Sequence, residues 1–160
     1  MAPTKPTILI LHGAWHHPEH FAKLITLLQF YSYEVLCPVQ RSYNAQPATT
    51  TLQEDAAFIK DVLSKLIDKG KDVIILMHSY GGMVGTEAVT EDMSKKFREK
   101  NGLTGGVVKL LYMCAFLLKK GESLATPLGG ELPPFITVEV NLPPQCFTSH
   151  VDPSRPMGHA

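Results

Sequence analysis

Short apolar runs alternate along the chain with stretches in which hydrophobic residues recur every three or four positions. The runs are rich in valine, isoleucine and leucine, which is typical of parallel strands buried on both faces. They predict four strands, at residues 7–11, 34–37, 73–77 and 107–113. Between these runs the hydrophobic residues recur at helical spacing. This order predicts an α/β fold of about four parallel strands with helices on both faces.

Local signals indicate where the helices begin and end. Pro18 suits the first turn of a helix. Thr51 and Glu54 have the spacing of a capping box at the start of the second helix, and Gly70 stands where that helix should end. A third helix is predicted over residues 82–100.

The composition argues against several classes of function. The chain has 160 residues, 44% of them hydrophobic, which is enough for one globular domain with a core. Fifteen basic and fifteen acidic residues cancel, so we expect no surface for nucleic acid or an anionic membrane. The apolar runs are far shorter than the roughly 18 residues of a membrane span. No signal peptide is expected, and the protein is predicted to be cytoplasmic.

Neither a metal nor a cofactor is predicted. The three cysteines lack metal-ligand spacing and are expected to be reduced thiols, with Cys114 a small core residue. His12, His16 and His20 are spaced by four, but Gly13 and Pro18 interrupt the helix that such a metal site would need. The glycine patterns of nucleotide-binding loops are absent.

One serine follows a predicted strand directly. The sequence "VIILMHSYGG" covers residues 73–82, so Ser79 stands where the third strand turns into the third helix. A sharp turn of this kind needs small neighbours and exposes the next backbone N–H, that of Tyr80, to a developing oxyanion. Gly81 and Gly82 are small, whereas Met77 occupies the first glycine position of the usual G-x-S-x-G pattern. The segment predicts a nucleophilic serine on a strained turn.

A second motif follows the first strand. "LHGAW" covers residues 11–15, where the loop after the strand would reach the same edge of the sheet as Ser79. Gly13 permits a close backbone approach, and the N–H of Ala14 is the expected second donor to the oxyanion.

Together, "LHGAWH" and "MHSYGG" resemble the α/β-hydrolase superfamily, in particular its small esterase and hydroxynitrile-lyase-like branch. The resemblance implies Ser79 as the nucleophile, with the N–H groups of Ala14 and Tyr80 as the oxyanion hole. It implies a small ester or related acyl compound as substrate and no cofactor. It also implies a substrate pocket formed by His12, Gly13, Trp15 and His78.

The likeness extends over about residues 7–125, the N-terminal part of such an enzyme. We therefore divide the chain into an α/β-hydrolase segment, residues 1–125, and a proline-rich cap remnant or loose tail, residues 126–160. Seven of the twelve prolines lie in the second segment. The sheet is expected to have the strand order 2-1-3-4 and to lack the later strands of a complete hydrolase.

The motifs do not identify the acid and the histidine that would act with Ser79. In this superfamily the acid and the histidine follow the serine, after later strands. Downstream of Ser79 the chain has only His150 and His159, and His159 is the candidate base because it follows a glycine. Candidate acids are Asp152, Glu122, Glu131 and Glu139.

Two hypotheses about function remain open from the sequence. The first is a serine hydrolase that acts on a small ester or related acyl compound through an acyl-enzyme. The second is a non-catalytic, truncated hydrolase that at most binds a ligand or a partner. A serine without a base is a poor nucleophile, so the 160-residue chain is expected to be nearly inactive. An unpaired edge beside the fourth strand predicts possible self-association.

Overall fold

The computed structural model describes residues 5–46, 49–119, 121–123 and 129. The strands are β1 (Thr7–Leu11), β2 (Val35–Leu36), β3 (Asp72–His78) and β4 (Gly106–Met113). The helices are α1 (Ala22–Phe30), α2 (Leu52–Ile67), α3 (Gly81–Ala88) and α4 (Lys95–Lys100), with 3₁₀ turns at Pro18–Phe21 and Glu91–Met93. Apart from Gly129, the predicted tail of residues 126–160 lies outside the described residues.

The four strands form one parallel sheet in the order β2-β1-β3-β4. The predicted fold class and strand order are confirmed. The register pairs Leu11 with Met77 and His78 with Met113, so β1, β3 and β4 end at the same edge of the sheet. Ligands of open α/β sheets bind outside this carboxyl edge.

A separate hydrophobic core covers each face of the sheet. Helices α2 and α3 pack on one face, against side chains such as Leu9 and Ile75, both 0% exposed. Helix α1 and Phe21 pack on the other face, against Ile10 and Ile74. Because consecutive side chains of a strand point to opposite faces, a strand covered on both faces needs a continuous apolar run.

The predicted limits of α2 are confirmed. The Thr51 hydroxyl accepts a hydrogen bond from the Glu54 N–H at 3.3 Å, and the Glu54 carboxylate accepts one from the Thr51 N–H at 2.7 Å. Gly70, just beyond the helix, has a φ of 78°, a left-handed value that glycine adopts without strain.

The prediction of one helix over residues 82–100 is wrong. The backbone leaves the helical region at Val89, where φ is −89° and ψ is 120°. A new helix, α4, begins after Ser94. The Ser94 hydroxyl accepts a hydrogen bond from the Phe97 N–H in the first turn of α4. Adjacent β-branched residues, Val89 and Thr90, favour extended backbone, and serine is a strong helix N-cap.

In the described ranges, no helix combines the length and the apolar character needed to cross a bilayer.

Strand β4 forms one edge of the described sheet and pairs with β3. Four of its apolar side chains are 36% to 49% exposed, namely those of Val108, Leu111, Tyr112 and Met113. An apolar strand edge can pair with another strand. Self-association through this edge stays a prediction.

Candidate active site

Ser79 lies on a sharp turn between β3 and α3. Its φ is 51°, a left-handed value that is uncommon for a residue other than glycine. The loop after β4 fixes this turn. The Ser79 N–H donates to the Cys114 carbonyl oxygen, and the Phe116 N–H donates to the Ser79 carbonyl oxygen, each at 3.2 Å. The strained strand-to-helix turn predicted for Ser79 is therefore present.

Glycines allow the neighbouring backbone to approach this turn. A Cβ on Gly81 would lie 2.4 Å from the Leu11 carbonyl oxygen, and one on Gly82 would lie 2.5 Å from a backbone oxygen of the loop after β4. No side chain fits at either position. A Cβ on Gly85 would lie 2.4 Å from the Met77 sulfur. The space at Gly85 therefore accommodates Met77, the residue that departs from the usual G-x-S-x-G pattern.

The prediction that Cys114 is a core residue is wrong. Its side chain is exposed and its φ is 44°. The residue contributes to the turn through its carbonyl oxygen, because the main chain bends there to reach the Ser79 N–H. Cys37 is half-buried, and burial raises the pKa of its thiol to about 11. A thiol in that state is a poor nucleophile.

The loop after β1 packs against the Ser79 turn. A Cβ on Gly13 would lie 3.1 Å from the Ser79 Cβ and 3.0 Å from His78 Nδ1. In the part of the chain that is described, the N–H groups of Ala14 and Tyr80 donate no hydrogen bond. Backbone donors without a partner, next to a serine, are suited to a developing oxyanion. The two sequence motifs are thus brought together.

His12 supports this loop from beneath. Its side chain is 1% exposed, and Nε2 accepts a hydrogen bond from the Gln40 N–H at 3.1 Å. The ring proton is therefore on Nδ1, which donates to the Gly13 carbonyl oxygen at 2.8 Å. The Gln40 side chain in turn donates to the His12 carbonyl oxygen at 2.6 Å. Both ring nitrogens of His12 are therefore used inside the protein.

A buried acid holds the residue that follows Ser79. The Tyr80 hydroxyl donates to Asp55 Oδ2 at 3.0 Å, and the Ser42 N–H donates to Asp55 Oδ1 at 3.0 Å. Asp55 is 0% exposed. Burial, with the Asp55 charge beside it, raises the pKa of the Tyr80 hydroxyl, so the hydroxyl remains a donor. Asp55 therefore ties the Ser79 turn to α2.

A cavity of about 400 Å³ is bordered by His78, the residue before Ser79, but not by Ser79 itself. Its walls are formed by Trp15, His16, His20, Phe21, His78 and Met113. Of the predicted pocket residues, Trp15 and His78 line the cavity, whereas His12 and Gly13 do not. Among the described residues, no cluster of three or more histidines, cysteines or acids is arranged to hold a metal ion.

Burial lowers the pKa of three histidines around the site. For His16 the neighbouring His78 and His20 add to the effect of burial, and for His78 the neighbouring His12 does so. For His12, burial lowers the pKa more than the hydrogen bond to Gly13 raises it. All three rings therefore stay neutral at pH values where an ordinary histidine, with a pKa near 6.5, begins to bind a proton.

We expect the protein to lose stability as the pH falls from about 7.5 to about 5.5, because the unfolded chain then binds more protons than the folded one. The histidine contribution is present above the unfolded pKa, about 6.5, and is lost below it. The lowered pKa of Glu34 adds its own loss only at more acidic pH. Urea denaturation at both pH values measures the effect, and a stability that rises toward pH 5.5 would contradict it. His16→Phe should reduce the dependence on pH.

The described residues supply no base to Ser79. In those ranges no histidine ring forms a hydrogen bond with the Ser79 hydroxyl. The predicted base His159 and the candidate acids Asp152, Glu131 and Glu139 lie outside the described residues. Glu122 is described, and its carboxylate accepts a hydrogen bond from the Lys119 N–H at 2.9 Å.

Several known proteins are similar to this chain in sequence. Alpha/beta hydrolase nvfD of Aspergillus novofumigatus is 35% identical over 136 residues, which are 85% of this chain and 52% of nvfD. Probable hydrolase R7 of a Phoma species is 30% identical over 80% of this chain and 50% of its own. A carbendazim hydrolyzing esterase of a Nocardioides species is 30% identical over 82% of this chain and 50% of its own. The chain thus spans about half the length of these relatives.

A solved structure shares the fold. It is an extracellular alpha/beta-hydrolase from a Paenibacillus species, described as structurally and functionally homologous to tobacco salicylic acid binding protein 2. The TM-score is 0.59 at 20% identity, over 76% of this chain and 45% of the other. The sequence itself matches the alpha/beta hydrolase family over residues 8–156. The resemblance inferred from the two motifs is confirmed, and the chain belongs to the alpha/beta hydrolase family.

Proposed function

We propose that this chain carries the nucleophile and the oxyanion hole of a serine hydrolase that acts on a small ester or related acyl compound. The observation that carries the proposal is the strained Ser79 backbone, at φ 51°, packed against the loop at Gly13. The N–H groups of Ala14 and Tyr80 donate no hydrogen bond to any described residue, which supports it. The name of the Nocardioides relative, an esterase that hydrolyses carbendazim, supports an ester or related acyl substrate.

In the proposed reaction the Ser79 hydroxyl oxygen attacks the carbonyl carbon of the substrate. A base takes the serine proton, and the carbonyl oxygen becomes an oxyanion that accepts hydrogen bonds from Ala14 N–H and Tyr80 N–H. Collapse of this intermediate breaks the bond to the leaving group, which takes the proton from the base. The resulting acyl-enzyme is then hydrolysed by water, which releases the acid and restores the serine.

The remaining residues have supporting roles in this proposal. Asp55 positions Tyr80, while Gln40 and His12 position the loop that carries Ala14. We place the base and the acid outside the described residues, with His159 as the candidate base within this chain. Since the chain spans about half the length of its relatives, a histidine and an acid in an additional segment are the alternative source.

A fluorophosphonate probe tests this proposal, because it reacts covalently with an activated serine. We expect slow labelling of Ser79, since the described residues hold no base for it, and faster labelling when imidazole is added as an external base. Ser79→Ala should abolish the label, as located by peptide mass spectrometry. Loss of labelling in His159→Ala would assign the base to His159. Labelling of another serine, or equal labelling of Ser79→Ala, would refute the proposal.

A further inference from the structure

Two buried ring nitrogens near Ser79 have no hydrogen-bond partner among the described residues. They are Nδ1 of His16 and Nδ1 of His78. Both face the backbone of Gly13, where an added Cβ would lie 3.1 Å from the first and 3.0 Å from the second. The two rings meet edge to face, with centroids 4.7 Å apart and an interplanar angle of 76°.

This burial determines where each neutral ring carries its proton. A buried N–H without an acceptor is rare in proteins, and an unfilled acceptor is tolerated more often. We therefore assign the proton of each neutral ring to Nε2 and leave Nδ1 unprotonated. The Nε2 atoms of His16 and His78 are not among the buried unpartnered atoms, and they bond to no described residue. They are hydrogen-bond donors on rings that line the cavity.

The rest of the cavity wall is mostly apolar. Trp15, Phe21 and Met113 surround the imidazoles, and His20 contacts His16 edge to face with centroids 5.5 Å apart. The described wall contains no lysine or arginine that would pair with a carboxylate. Its volume is about 400 Å³, and much of its boundary is open to solvent.

We propose that this cavity binds an apolar, ring-sized part of the substrate that bears a neutral oxygen acceptor, such as a carbonyl or ether oxygen, and that His16 and His78 select it by donating from Nε2. This inference rests on the proposed function, because the cavity wall includes His78, the residue that precedes the proposed nucleophile. Neutral imidazole donors favour an uncharged acceptor over a carboxylate, which gains more from a cation. The burial that lowers the pKa of both rings keeps them neutral.

The fluorescence of Trp15 provides the test, because Trp15 is the one tryptophan of the chain and lies in the cavity wall. The experiment uses the full chain with Ser79→Ala, so that binding is measured without covalent reaction. Three ligands of nearly equal shape are titrated at about pH 8, where an ordinary histidine is neutral. They are cyclohexyl methyl ketone, its hydrocarbon analogue isopropenylcyclohexane, and cyclohexanecarboxylate.

We expect the ketone to bind about 5-fold to 20-fold more tightly than the hydrocarbon, the effect of one or two neutral hydrogen bonds. The carboxylate should bind less tightly than the ketone. Adding His16→Phe and His78→Phe keeps two planar rings and removes the donors. The ketone should then bind less tightly than the hydrocarbon, because its oxygen leaves water without gaining a hydrogen bond. An unchanged hydrocarbon affinity in that variant shows that the cavity is intact.

The ratio of ketone to hydrocarbon affinity with both histidines present needs no histidine variant and is measured first. Equal affinities, tightest binding of the carboxylate, or no change in Trp15 fluorescence with any ligand would overturn the inference. So would a ketone preference that persists after both histidines are replaced. Because no turnover is involved, these outcomes are independent of whether Ser79 is a nucleophile. Conversely, evidence that Ser79 is not a nucleophile would not change a measured preference of the cavity for the ketone.

Discussion

Replacing Asp55 with alanine is expected to lower the free energy of unfolding by about 3 kcal/mol, because it leaves two partly buried donors without their acceptor. Those donors are the Ser42 N–H and the Tyr80 hydroxyl, each 3.0 Å from the Asp55 carboxylate. An unsatisfied buried polar group costs roughly 1–3 kcal/mol. The Asp55 side chain is 0% exposed, so water cannot easily replace it. Urea denaturation at neutral pH measures the change.

Asp61 offers a matched control on the same helix. Its carboxylate pairs with Lys65 at 2.6 Å, but the two side chains are 58% and 69% exposed. An exposed pair of this kind contributes less than about 1 kcal/mol, so Asp61→Ala should change stability little. Tyr80→Phe removes one of the two donors and should fall between the two aspartate variants. If Asp55→Ala were as stable as Asp61→Ala, the buried carboxylate would not be the anchor of the Ser79 turn.

The strands and the Ser79 turn could be predicted because their physical requirements are local. A strand covered on both faces needs consecutive apolar residues, and residues 73–77 meet that need. The sharp turn needs small neighbours, and Gly81 has a backbone oxygen where a Cβ would otherwise stand. In each case a few adjacent residues carry the whole signal.

The polar contacts around the turn could not be predicted, because they join residues that are distant in sequence. Gln40 reaches His12 across 28 positions, and Tyr80 reaches Asp55 across 25. One signal was available, since Asp55 lies on the apolar side of α2, next to the buried Ala56. An acid in the first turn of a helix is ordinarily explained by its favourable interaction with the helix dipole. That explanation gives no reason to expect that the Asp55 carboxylate is buried and accepts hydrogen bonds from other elements.

The contact between His16 and His78 could not be predicted from the sequence either. The predicted pairing of β1 with β3 brings the two loops to one edge of the sheet, but it does not determine that the two rings pack with their centroids 4.7 Å apart. The break at Val89 was missed for a different reason. The apolar spacing continues past it, whereas the backbone preference of two β-branched residues interrupts the helix there.

Ser79→Cys should create a thiol that reacts with an activated ester on the order of 100-fold faster than an ordinary exposed cysteine, the effect of one oxyanion donor. A thiol ionises much more readily than a hydroxyl, so this variant needs no histidine. It therefore tests the turn and the oxyanion donors separately from the base, which the described residues do not supply. The start of α3 beside the turn should also favour the thiolate.

Ser32 provides the matched control for the backbone. It is exposed and has a φ of 60°, close to the 51° of Ser79, but it lies in the turn after α1 rather than beside the loop at Gly13. Ser32→Cys therefore reproduces the left-handed conformation without the oxyanion donors. Cys114, which is exposed, serves as an internal reference in every sample.

The oxyanion hole beside Ser79 is tested most directly by the rate at which 4-nitrophenyl acetate acetylates each cysteine, followed by peptide mass spectrometry in Ser79→Cys and Ser32→Cys. We expect the thiol at position 79 to be acetylated on the order of 100-fold faster than the thiol at position 32 or that of Cys114. Equal rates at positions 79 and 32 would contradict it. In that case the strained turn would be present without an oxyanion hole, and Ser79 would not be the nucleophile of a hydrolase.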